Sequence, residues 1–162
     1  MVDYLSCLDK ALVETLKNKS LTITTAESCT GGMVASSIVN ISGASDIFKE
    51  GYITYSNEAK ERILGVKHET LEKYKAVSAE TAAQMAEGAV RISKADISVS
   101  VTGVAGPSRE DDKPVGLVYI GCCYKGETHV KDCDSTGGRQ TIRCQSTKEA
   151  LKFVLDIIKT NR

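Results

Sequence analysis

The feature that most constrains this chain is a strand-like run that stops at a glycine turn and gives way to a helical pattern. Leu21-Thr-Ile-Thr-Thr25 is short and β-branched, runs into Ala26-Glu-Ser-Cys-Thr-Gly-Gly32, and is followed by a helix-like Met33–Val39. Ile97-Ser-Val-Ser-Val101 alternates as a strand does and ends in Thr102-Gly-Val-Ala-Gly-Pro107. Strands that alternate with helices predict an α/β sandwich. Leu117–Tyr124 and Thr128–Asp132, joined at Lys125-Gly126, read as a hairpin, so the sheet is expected to be mixed.

Helical spacing fills the gaps. Leu5, Leu8, Leu12 and Leu16 mark a first helix over about 2–17. A strand is expected at Tyr52–Tyr55, then a short helix from Asn57, a good N-cap residue, to Leu64 before Gly65. Ser78-Ala-Glu80 opens a helix to about Ser93, and the last helix runs from about Arg139 to Lys159.

Composition narrows the partners. Lys+Arg and Asp+Glu are 21 each, so the formal net charge is zero and any anion recognition has to be local. Nucleic acid and membrane are therefore not expected as partners. No apolar run approaches the ~20 residues of a membrane span, and the start of the chain lacks a basic segment of the secretory kind. The expected location is the cytoplasm. The six cysteines include no Cys-x-x-Cys pair, and His68 and His129 stand apart from them. Reduced thiols and no metal site are the expectation.

Both glycine turns should lie at the carboxyl ends of strands, where open α/β sheets bind ligands. Each alone is a weak signal; together they favour a phosphorylated or carboxylated small molecule. A second constellation is Ser45, Tyr55 and Lys60. A lysine near a helix start faces the positive end of the helix dipole, and any burial would also lower its pKa. A neutral lysine can take the proton of a serine hydroxyl. On spacing alone the plain reading of a turn serine, a solvent-facing tyrosine and a solvated helix lysine stands ahead of the chemical one.

Thr25-Ala-Glu-Ser-Cys-Thr-Gly-Gly32, Gly51-Tyr-Ile-Thr-Tyr-Ser-Asn-Glu-Ala-Lys60, Val77-Ser78, Thr102-Gly-Val-Ala-Gly-Pro107 and Lys113-Pro-Val-Gly116 together resemble the CinA C-terminal domain family. The resemblance spans nearly the whole chain, in order. It implies a three-layer α/β/α sandwich with a mixed, mostly parallel sheet, and one domain over residues 1–162. It also implies a nicotinamide-nucleotide amidase, which hydrolyses the carboxamide of nicotinamide mononucleotide to nicotinate mononucleotide and ammonia without a cofactor. Counting ten residues back from the motif tyrosine makes Ser45 the nucleophile, with Tyr55 and Lys60 handling the proton. Ser28, Thr30, Gly31, Gly32, Gly103, Arg139 and Arg143 would bind the nucleotide. A homo-oligomer, dimer or larger, is implied as well. The chain departs from the family after Pro107: a further Gly-Gly is replaced by Ser-Arg-Glu-Asp-Asp, which exchanges a close-approaching loop for a charged one. That departure keeps open a catalytically silent nucleotide-binding or protein-interaction module, or a deamidase of another carboxamide.

Overall fold

The computed structural model describes residues 2–161, with side chains from residue 7 onward. Five strands, β1 (Ile23–Glu27), β2 (Phe48–Ile53), β3 (Ile97–Gly103), β4 (Leu117–Tyr124) and β5 (Glu127–Asp134), form one sheet in the order β2-β1-β3-β4-β5. β1 pairs in parallel with both β2 and β3, and the β3–β4 and β4–β5 ladders are antiparallel. β4 thus runs against the other four strands. The helices α1 (Val2–Asn18), α2 (Met33–Val39) and α6 (Arg139–Thr160) cover one face. On the other lie α3 (Asn57–Leu64), α4 (His68–Tyr74) and α5 (Ala79–Ser93). This is the expected three-layer sandwich. Among the described residues, no helix is long and apolar enough to cross a membrane.

The larger core joins Leu12, Val13 and Leu16 of α1 to Ile97, Val99 and Val101 of β3 and to Leu151, Val154 and Ile158 of α6. Leu5, counted on the same face of the first helix, falls outside the described side chains. The alternation of β3 has an unusual outcome. Its polar positions would face water in a half-buried strand, yet every residue of β3 is buried. The hydroxyls of Ser98, Ser100 and Thr102 donate instead to the carbonyls of Ala86, Ala82 and Ala76, at 2.6, 2.6 and 2.8 Å. Each buried hydroxyl is satisfied, so its hydrogen bond offsets the cost of desolvating it.

Several boundaries move from their expected places. β1 starts two residues later and runs to Glu27, and β2 ends at Ile53, because parallel pairing sets Ile23 against Phe48 and Glu27 against Ile53. The N-cap of α3 is Ser56, whose Oγ accepts the Ala59 N–H at 3.1 Å. Gly65 closes that helix at φ 69°, with Val66 N–H donating to Lys60 O and Gly65 N–H to Glu61 O. This left-handed cap needs glycine. The helix α4 was not expected: of its seven residues only Thr70 and Leu71 are buried, too few to mark a period. The hairpin is as expected, with Lys125 and Gly126 both at positive φ, as a tight two-residue turn requires.

Packing on the α3–α5 side is close. A Cβ at Gly88 would run into the Leu64 backbone carbonyl. Gly→Ala inside a helix ordinarily stabilises by ~0.5–1 kcal/mol. Here the sign should reverse, with Gly88→Ala lowering stability by ~1–3 kcal/mol as in an overpacked core, checked by urea unfolding. A raised midpoint would contradict this packing.

Candidate active site

β1, β2 and β3 are parallel, so their carboxyl ends open on the same side of the sheet. A cavity of about 280 Å³ lies there. The turn after β1 contributes Ser28 and Cys29, the turn after β2 and the start of α3 contribute Tyr55 and Asn57, and the end of β3 with the connection to β4 contributes the wall from Thr102 to Glu110. Lys60 closes it from α3 and Arg139 from the start of α6.

The side chain of Lys60 is only 1% exposed. Its Nζ lies 3.1 Å from Ser28 Oγ, 2.9 Å from Thr54 O and 3.5 Å from Tyr55 O. Burial pushes its pKa below the ordinary 10.5; the fields of Glu110, Cys29 and Glu58 oppose that without reversing it. The three contacts have a consequence for the neutral amine, which has two N–H donors and one lone pair. Thr54 O and Tyr55 O can only accept, so they engage the two donors. The lone pair is left facing the Ser28 hydroxyl, the one group of the three able to donate back. Desolvation, the burial that the sequence reading set beside the helix dipole, is the main cause of the lowered pKa. Cys29, next to Ser28, is no rival nucleophile, since burial is the main reason its thiol is pushed up to about 12.

Ser45 is not part of this arrangement. It sits in a 3₁₀ turn, Ala44–Asp46, before β2, whereas Lys60 follows β2. The six residues of β2 separate the two ends of the strand by ~20 Å. Ser45 is exposed, and its carbonyl accepts a hydrogen bond from Lys49 Nζ. Counting along the motif selected a serine at the wrong end of the sheet. The hydroxyl beside Lys60 belongs to Ser28, expected only as a nucleotide contact. The sequence did hold the signal: Ser28 immediately follows a central strand at the head of a strand–turn–helix.

Tyr55 lines the cavity, but its hydroxyl is turned away from Lys60 and accepts from Arg139 Nη2 at 2.9 Å. Lys60 meets Tyr55 only through the backbone. Arg139 also donates to Gly106 O at 2.6 Å, bridging the turn after β2 and the loop after β3. Arg143 does not line the cavity. It donates to Cys29 O at 3.0 Å and Thr30 O at 2.9 Å, tying the Ser28 turn to α6.

Thr30, Gly31 and Gly32 are likewise outside the cavity lining. The start of α2 already holds an anion: the Glu27 carboxylate accepts from the N–H groups of Gly32, Val34 and Ala35 at 3.0, 3.0 and 2.9 Å. The glycines let the chain double back over this carboxylate, with Gly31 at φ 58° and Gly32 at φ 99°. Gly103 does line the cavity, and a Cβ there would also strike Leu117 O and Val118. Of the other lining residues, Asn57 was read only as a helix cap, and Arg109 and Glu110 only as part of the departure after Pro107.

The buried amine should leave a mark on stability. At low pH both folded and unfolded states carry the Lys60 proton, and the desolvation penalty stands in full. As pH rises through the lowered folded value toward 10.5, the native state sheds the proton first and stability climbs. Lys60→Met removes this dependence. The stability of the native chain relative to the variant should therefore increase as pH rises toward 10.5, read by denaturant unfolding. Parallel curves would contradict a depressed Lys60 pKa.

The architecture and this site arrangement can be set beside known proteins. The family model for the CinA C-terminal domain matches residues 6–158. A CinA-like protein of Kosmotoga olearia is 52% identical over 148 residues, which are 91% of this chain and 36% of that protein. The chain thus spans about a third of the length of the curated relatives it matches. A CinA superfamily protein from Escherichia coli superposes with a TM-score of 0.92 at 35% identity, covering 94% of this chain and 90% of that one. The competence/damage inducible protein CihA from Agrobacterium tumefaciens gives 0.90 at 37% identity, covering 94% of each chain. The chain belongs to the CinA C-terminal domain family.

Proposed function

We propose that this domain is a serine amidohydrolase that converts nicotinamide mononucleotide to nicotinate mononucleotide and ammonia. The substrate is drawn from the family resemblance. The observation that carries the chemistry is the 3.1 Å approach of the buried, desolvated Lys60 amine to Ser28 Oγ.

The steps follow from the groups present. Ser28 Oγ attacks the carboxamide carbon while its proton passes to the lone pair of Lys60. The tetrahedral intermediate collapses as Lys60 returns that proton to the departing nitrogen, releasing ammonia and leaving a nicotinoyl ester on Ser28. Water then attacks the ester, with Lys60 as base, and the proton returns to Ser28. Thr54 O and Tyr55 O hold the amine in place through both half-reactions. The phosphate falls to Arg139 and Arg109, because these two arginines line the cavity and Arg143 does not, and the α2 start is already taken by Glu27. Arg139 is held by Gly106 O and Tyr55 OH in the orientation from which it would meet the nucleotide.

Ammonia release from the purified protein with nicotinamide mononucleotide tests the reading. Ser28→Ala should lower kcat by roughly 10³-fold or more, as loss of a nucleophile does, whereas Ser45→Ala should stay within about twofold, the ordinary effect of a surface change. Binding of the nucleotide without product would instead favour the silent module. The neutral amine is the working form, so kcat/KM should rise with pH until Lys60 is deprotonated and then level off. Lys60→Arg should be inactive at every pH, since a guanidinium keeps its proton. An active Lys60→Arg enzyme would rule out the lysine as base.

A further inference from the structure

The segment Pro107-Ser-Arg-Glu-Asp-Asp-Lys113 reads as a loose charged loop, but it is a built turn. Asp111 and Asp112 sit at φ 48° and 61°, the two central positions of a tight primed turn. Glu110 and Lys113 form a bridge, with Lys113 N–H donating to Glu110 O at 2.8 Å. Arg109 Nη2 donates to Asp112 O at 2.7 Å. The turn fixes where the side chains before it emerge, and both Arg109 and Glu110 line the cavity.

This gives the cavity an uneven charge pattern. Its charged lining residues are Lys60, Arg109, Glu110 and Arg139, so Glu110 is the only carboxylate among them. Glu110 enters none of the ion pairs found among the described residues. A site for a plain phosphate ester gains nothing from a carboxylate in its wall. A site for a molecule with phosphate at one end and a positive charge at the other does. Glu110 is also close enough to Lys60 for its field to act on the amine, which brings it near the place where the scissile carboxamide would meet Ser28.

We propose that Glu110 is a specificity-determining residue that selects a carboxamide carried on a cationic ring, of the pyridinium type, over the same carboxamide on a neutral ring. This rests on the amidohydrolase reading only in taking the carboxamide to lie at Ser28. The ring bonded to that carboxamide then falls between Ser28 and the 107–113 turn, with its positive charge toward Glu110 and the phosphate toward Arg109 and Arg139.

The test compares nicotinamide mononucleotide with benzamide ribotide, which keeps the carboxamide, ribose and phosphate on an uncharged ring. Affinities are measured by calorimetry in the Ser28→Ala background, where no turnover disturbs them, and ammonia release is measured separately with Ser28 in place. Glu110→Gln should reduce the preference for the cationic ring by ~5-fold, the upper range for an exposed charge pair, while affinity for benzamide ribotide is unchanged. Glu110→Asp should keep part of the preference. A preference untouched by Glu110→Gln, an equal loss for both ligands, or binding of neither would overturn the proposal. Release of ammonia with an untouched preference would remove the role of Glu110 and leave the amidohydrolase standing. A Glu110-dependent preference without ammonia would do the reverse.

Discussion

The site depends on an amine brought out of water without a carboxylate in ion-pair contact. Lys60 meets two backbone carbonyls and one hydroxyl, a set that satisfies a neutral amine and serves an ammonium poorly. A buried carboxylate partner would raise the amine's pKa, restore its charge and leave it no lone pair with which to accept a proton. The surroundings follow from this. Ser56 and Gly65 cap the short helix that carries Lys60, and the ends of β1 and β2 bring Ser28 and Thr54 to it. The carboxylate in the cavity lining, Glu110, comes from a separate turn and makes no ion pair with Lys60 among the described residues.

The sheet makes this possible by topology. Three parallel strands put the Ser28 turn, the Thr54–Lys60 segment and the Gly103–Glu110 segment on one edge of the sandwich, although they are far apart in sequence. The Ser98 and Ser100 hydroxyls of β3 donate to carbonyls of α5, and that helix lies close against the sheet, where a Cβ at Gly121 of β4 would run into Ala82 O. Arg139 and Arg143, four residues apart on α6, serve different ends. One bridges the cavity mouth, and the other fastens the Ser28 turn from behind.

Much of the fold was legible because periodicity reports burial directly. The Leu12–Leu16 face was readable on that basis, whereas cap and turn residues marked the α3 span ending at Gly65 and the β4–β5 hairpin at Lys125-Gly126, from which the mixed sheet followed. Boundaries were less so: the limits of β1 and β2 are set by pairing between strands, which local pattern does not contain. The helix α4 escaped because it buries almost nothing. At the site, Lys60 was identified from its place at a helix start, and its burial by the packed sandwich supplies the desolvation that lowers its pKa. Ser45 was chosen by counting along the chain, and what brings a hydroxyl to Lys60 is the parallel register of β1 beside β2. The glycine turn was read as an anion cradle, correctly in kind, but a carboxylate from the same chain fills it.

The Glu27 arrangement bears on how the site meets its ligand. A phosphate-binding turn ordinarily waits for its guest to organise it, and some binding energy is lost in ordering it. Here the counter-anion is covalently attached one residue before Ser28, and three amide groups are already committed to it. The hydroxyl is thereby presented from a turn that is set when the chain folds. Free phosphate or sulfate in the medium has no vacancy there to compete for, and the turn should differ little between the empty and the ligand-bound domain.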